Sequence, residues 1–102
     1  MKPEMMKSVE KYRERLLEKA EEYNAERASD EVESAVEKEC SRIDSLIEYG
    51  KVKLSGAAYK AHIEKFKKDA YKNIFDRLME ECAEDIERDV EEYRKSLEDE
   101  AE

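Results

Sequence analysis

The apolar residues of this chain recur at steps of three and four, the period of a helix and not of a strand. Met5, Val9, Tyr12, Leu16, Ala20 and Tyr23 form one such series, the one-sided stripe of an amphipathic helix. A second series, Val32, Val36, Cys40, Ile43 and Ile47, follows out of phase with the first. A third runs through Tyr59, Ile63, Phe66, Ala70, Ile74, Leu78, Cys82, Ile86, Val90, Tyr93 and Leu97. Its ten steps average about 3.8 residues against 3.6 for a straight helix, so the stripe turns slowly around its axis. Tyr71, Phe75 and Met79 widen it through the middle, and a face that broad contacts more than one neighbouring helix.

Punctuation sets the boundaries. Pro3 sits where a helix tolerates proline, in the opening turn. Gly50 follows Tyr49, at the place where a helix commonly ends in a left-handed residue. Ser55 is a good N-cap, and Leu54 and Tyr59 on either side of the cap have the spacing of a hydrophobic staple. The spacing predicts a helix over about 4–49, a turn over about 50–55 and a helix over about 56–98. Asp30 and Glu33 have capping-box spacing, which offers a break near residues 28–30. No glycine or proline enforces that break, so the continuous helix is the favoured reading.

The expected fold is therefore all-α, an antiparallel long-helix hairpin. Helices of this length would be roughly 65 Å long at 1.5 Å per residue. A lone hairpin would leave half of the widened face in water. Phe66, Ile74, Phe75, Leu78, Met79 and Ile86 are accordingly assigned to the core and to a dimer interface, with two hairpins forming a homodimeric four-helix bundle. A compact three-helix bundle monomer is the alternative.

Composition supports helices. Of 102 residues, 48% are charged and 39% hydrophobic, with one proline and no tryptophan, a pattern of long helices and coiled coils. No apolar run approaches the roughly 18–20 residues of a membrane span, and residues 1–12 lack the apolar stretch of a secretory signal. A cytoplasmic protein without membrane attachment is expected. Cys40 and Cys82 stand alone. The hairpin would place them roughly 25 Å apart along its axis, too far for an intrachain disulfide, and both fall on apolar stripes as small buried groups.

The net charge of −9 is unevenly spread. Residues 1–50 hold 14 acids and 9 bases, residues 51–79 hold 3 acids and 8 bases, and residues 80–102 hold 12 acids and 3 bases. Glu80, Glu84, Glu87, Glu91 and Glu98 share one side of the last helix. Four-residue steps there put carboxylates about 6 Å apart, close to the charge spacing of a nucleic-acid strand. Such a face fits the basic groove of a nucleic-acid-binding protein. The lysines Lys60, Lys65, Lys67, Lys68 and Lys72 lie among acids, and Tyr59, Phe66 and Tyr71 between them point to the core by period, so direct nucleic-acid binding is not expected.

Catalytic chemistry finds no support. His62 is the only histidine, and Tyr59, not Glu, stands three residues before it, unlike the Glu-x-x-His of bundle di-metal sites. No carboxylate is placed by motif in an apolar setting that would tune it for acid–base work. Gly50 and Gly56 form no phosphate loop, and no serine lies in a Gly-x-Ser-x-Gly context. No metal or other cofactor is expected.

Leu54-Ser55-Gly56-Ala57-Ala58-Tyr59, between two long helices, resembles the bend of the WXG100- and LXG-type proteins of type VII secretion. That resemblance implies a helical hairpin that pairs into a four-helix bundle and is associated with secretion. Leu54 stands where those proteins usually carry Trp. Leu97, four residues after Tyr93, stands where their export motif wants an acid. The function expected overall is a non-enzymatic acidic protein-interaction module, an inhibitor occupying a basic groove. A structural helical partner, recognised by its apolar face, is the alternative.

Overall fold

Gly50 ends the first helix, and its backbone shows how. Its φ of 71° is the only positive value among the described residues. The Gly50 N–H donates to the Ile47 carbonyl at 3.0 Å, and the Lys51 N–H to the Leu46 carbonyl at 2.9 Å. These crossed bonds are the Schellman arrangement, which satisfies carbonyls that a helix end otherwise leaves bare. Further on, the Ser55 hydroxyl accepts from the Ala58 N–H at 3.1 Å and its carbonyl from the Tyr59 N–H at 2.9 Å. The expected N-cap is thus made by Ser55.

The computed structural model describes residues 2–101. It contains two helices of 46 residues each, α1 (Pro3–Glu48) and α2 (Gly56–Ala101), packed as a hairpin around that turn. No strand occurs among the described residues. The first helix runs through residues 28–30 without interruption. Contacts divide the chain into two compact units, Met1–Asn24 with Arg77–Glu102, and Ala25–Asp76.

In the first unit Val9, Ile86 and Val90 are buried together, with Tyr12, Leu16, Ala20, Cys82, Tyr93 and Leu97 packed around them. Tyr12 stacks on Tyr93, ring centres 4.3 Å apart and planes 17° off parallel, a contact worth about 0.5–1.5 kcal/mol beyond its area. Tyr12 meets Tyr93 whereas Asn24 meets Met79. Pairing numbers that rise on α1 and fall on α2 define an antiparallel seam. In the second unit Ala28, Val32 and Ile43 are buried, and His62 pairs with Glu39 at 3.7 Å.

The two apolar series read along α1 are joined by residues that do not look like core. Leu16, Ala20, Asn24, Ala28 and Val32 are all buried or half-buried. Each four-residue step carries the buried face about 40° farther round the helix. The buried face of α1 therefore passes from the first stripe to the second without a break. Tyr23, the last member of the first stripe by period, is instead 63% exposed, and Asn24 beside it is 4% exposed. Ile47, at the end of the second stripe, is 39% exposed. On α2 the periodic residues Tyr59 to Leu97 are all at least half-buried.

Asn24 is the one buried polar side chain among the described residues. Its amide donates to the Met79 sulfur at 3.2 Å and approaches the Cys82 sulfur at 3.7 Å, and sulfur is a weak acceptor. A buried amide so weakly satisfied costs stability but penalises other registers, as buried Asn does in coiled coils. Replacing Asn24 with Leu should raise stability by about 1–2 kcal/mol, read as a shift of the urea midpoint; a lower midpoint would show the amide to be net stabilising.

The two glycines give a paired test. An added Cβ meets nothing within 4 Å at either position, so only backbone conformation separates them. Gly50→Ala should cost about 1–2 kcal/mol because its φ is left-handed, whereas Gly56→Ala should add about 0.4–1 kcal/mol. Equal effects on the thermal midpoint would contradict the assigned turn.

Candidate interaction faces

The acids are distributed between the units as unequally as along the sequence. The unit of Met1–Asn24 and Arg77–Glu102 holds 18 acids and 10 bases, net −8; Ala25–Asp76 holds 11 acids and 10 bases, net −1. In the first unit residues 1–24 are balanced, with 6 acids and 6 bases, so the excess belongs to residues 77–102.

The five carboxylates expected to form a mimic face are not equally available. Glu87 is held by Arg13 of α1 in a two-pronged pair, Nε to Oε1 at 3.2 Å and Nη2 to Oε2 at 3.1 Å. Arg13 also reaches Glu10 at 2.8 Å. Glu91 and Glu98 both bind Arg94, Glu98 accepting from Nη1 at 2.6 Å and Glu91 from both Nε and Nη2. Only Glu80 and Glu84 of the five make no ion pair among the described residues, and both are exposed. Sequence spacing places side chains on one face, but it does not reveal which arginines reach them.

These pairs leave an electrostatic signature. The Arg94 bond is the main reason the Glu91 carboxyl lies below the usual carboxylate range, against a smaller opposing effect of burial. Glu87 raises the Arg13 guanidinium above its ordinary value, chiefly through their hydrogen bond. In the second unit Glu39 is lowered first by Arg42 and further by His62, and only 10% of its side chain is exposed. Tyr59 is pushed well above an ordinary phenol, first by Cys40, then by burial and by Asp44.

The residues assigned to core and interface divide in the same way. Leu78 and Ile86 are 2% and 8% exposed within the single chain. Phe66, Ile74, Phe75 and Met79 are half-buried, and Tyr71 stacks on Phe75 with ring centres 6.0 Å apart. In the second unit a groove of about 560 Å³ is lined by Ser29, Val32 and Glu33 of α1 and by Glu64, Lys67, Lys68 and Tyr71 of α2. The lysines of this unit's α2 segment, Lys60, Lys65, Lys67, Lys68 and Lys72, are all exposed. The largest exposed apolar surfaces near the turn belong to Tyr49 at 75%, with Ile47 and Leu54 at 39% each.

Cys40 and Cys82 are free thiols, each half-buried, and the Cys82 thiol donates to the Met79 carbonyl at 3.3 Å. Among the described residues no group of three or more His, Cys, Asp or Glu side chains is placed to hold a metal, and no helix is long and apolar enough to cross a membrane. No family model, curated protein or solved structure matches the chain.

The lowered carboxyls make a pH prediction with a definite sign. A folded pKa below the unfolded one adds stability above the unfolded value of about 4.3, and that stability is lost as pH falls through the folded value. Glu39→Gln and Glu91→Gln should each be less stable than the parent at about pH 7, and the differences should close on acidification below about pH 4. A gap that persists to about pH 2 would place its origin in packing and not in charge.

Proposed function

We propose that this chain is a non-enzymatic, acidic protein-interaction module that acts in the cytoplasm as a homodimer. Its acid-rich unit docks on the basic surface of a partner and competes there with nucleic acid. The observation that carries this reading is the concentration of charge: −8 of the net −9 resides in one unit, mostly on exposed side chains of α2. A surface of one sign speeds encounter with an oppositely charged partner and excludes like-charged ones. Unpaired acids make the productive contacts, because Arg13 and Arg94 already neutralise much of Glu87, Glu91 and Glu98. Glu80 and Glu84 are therefore the contacts of first rank, joined by the exposed Glu92.

A second reading, an assembly component recognised through apolar surface, draws on the exposed Ile47, Tyr49 and Leu54 around the turn. The two readings respond differently to salt.

The test compares the immobilised parent with Glu80→Gln/Glu84→Gln/Glu92→Gln, a variant that breaks no ion pair found in the structure. Basic nucleic-acid-binding proteins should be retained from lysate by the parent alone. They should be released by duplex DNA, or by salt at about 1 M, where screening acts within about 3 Å. Equal retention by the variant, or retention that salt does not disturb, would overturn the acidic reading in favour of apolar recognition.

A further inference from the structure

Asn24 is a strong donor held against weak acceptors. Its side chain is 4% exposed, and its Nδ2 donates to the Met79 sulfur at 3.2 Å and lies 3.7 Å from the Cys82 sulfur. The two sulfurs stand three residues apart on α2, so both meet the same amide of α1. Thiol and thioether sulfurs are weak acceptors. An oxygen in the same place would satisfy the amide far better.

Met79 can acquire that oxygen. It is half-buried and so not sealed from solvent, and a thioether is readily oxidised to a sulfoxide. In an ordinary core this change is disruptive, because a polar oxygen arrives where no donor awaits it. Beside Asn24 the donor is already in place.

We infer that Met79 is a reversible oxidation site for peroxides, and that the Asn24 amide is the group that receives the sulfoxide oxygen. A lone pair of the Met79 sulfur attacks one oxygen of hydrogen peroxide. An S–O bond forms, the O–O bond breaks, and the displaced hydroxide takes up the remaining proton and leaves as water. Sulfur loses two electrons and the peroxide gains them. Reduction by a methionine sulfoxide reductase and a dithiol returns the oxygen as water and the sulfur to a thioether.

The surroundings suit this exchange. Methionine is unbranched with three rotatable bonds, so the new oxygen can swing onto the amide while the helices stay in place. Asn24 has two N–H groups, enough for the oxygen and the Cys82 sulfur together. The Cys82 thiol does not compete for the oxygen, since it donates to the Met79 carbonyl at 3.3 Å. Leu78, next to Met79, is 2% exposed, so a sulfoxide without a donor would sit at the edge of the closest-packed part of the seam. Oxidation adds no charge to the net −9. Its effect is therefore on the seam, and this inference does not rest on the docking reading above.

The test is a cycle of oxidation and substitution. The parent, Asn24→Leu and Met79→Leu are treated with hydrogen peroxide until Met6, 56% exposed, is fully converted as read by peptide mass. The urea midpoint of each is measured before treatment, after it, and after reduction by a methionine sulfoxide reductase with dithiothreitol. Met79 of the folded parent should carry one added oxygen, and the parent's midpoint should hold or rise. Asn24→Leu should lose roughly 1 M in midpoint on oxidation, because its sulfoxide oxygen then meets no donor. Reduction should remove the Met79 oxygen and restore both starting midpoints. Met79→Leu should not respond to peroxide, which separates Met79 from the cysteines and the other methionines.

Equal shifts in the parent and Asn24→Leu would overturn the pairing with Asn24. A folded parent whose Met79 stays unoxidised while Met6 is converted would overturn the site, as would a response of Met79→Leu equal to that of the parent. A Met79 oxygen that the reductase leaves in place would overturn its reversibility.

Discussion

Each helix of this protein carries one apolar stripe, and the rest of the structure follows from the need for the two stripes to meet. With nearly half of its residues charged, the chain has little other apolar surface to bury. The seam is narrow, built mostly from single residues at four-residue steps. Because four residues overshoot a turn, a stripe built on such steps drifts around its own helix. Small or polar residues such as Ala20, Asn24 and Ala28 can belong to it because the winding brings them to the interior in their turn. Asn24 marks the limit of what the seam tolerates, a buried amide whose nearest acceptors are sulfurs.

The narrow seam leaves the charged residues to decide everything outside it. Arginines positioned beside the seam hold particular glutamates: Arg13 takes Glu87, and Arg94 takes Glu91 and Glu98. Exposed pairs of this kind add little to stability. Their larger effect is on the surface, since a carboxylate held by a guanidinium is a weaker contact for anything else. The acidic character that remains is therefore patchier than a count of glutamates suggests. It is also confined to one unit, leaving the other nearly neutral.

The turn answers a separate structural demand. Two helices of 46 residues can align their stripes only if the connection sets their register, and the Gly50 bonds and the Ser55 cap do so from both sides. Around it Tyr49, Lys51 and Lys53 are exposed, so aromatic surface and lysines occur together there outside the helices.

The sequence by itself determined the helical class, the position of the turn and the identity of nearly every buried residue on α2. Each of these depends on local chemistry: period, capping hydroxyl and glycine conformation. It also determined which segments carry excess charge, a matter of counting. Tertiary structure decided what periodicity could not. It turned Tyr23 outward and Asn24 inward, because the path of the seam depends on the opposing helix and not on the hydrophobicity of either residue. It decided which acids are partnered, because Arg13 and Glu87 are 74 residues apart and meet only through packing. It also placed Glu33 and Lys68 on facing walls of one groove, since antiparallel register is a relation between helices that neither helix contains alone.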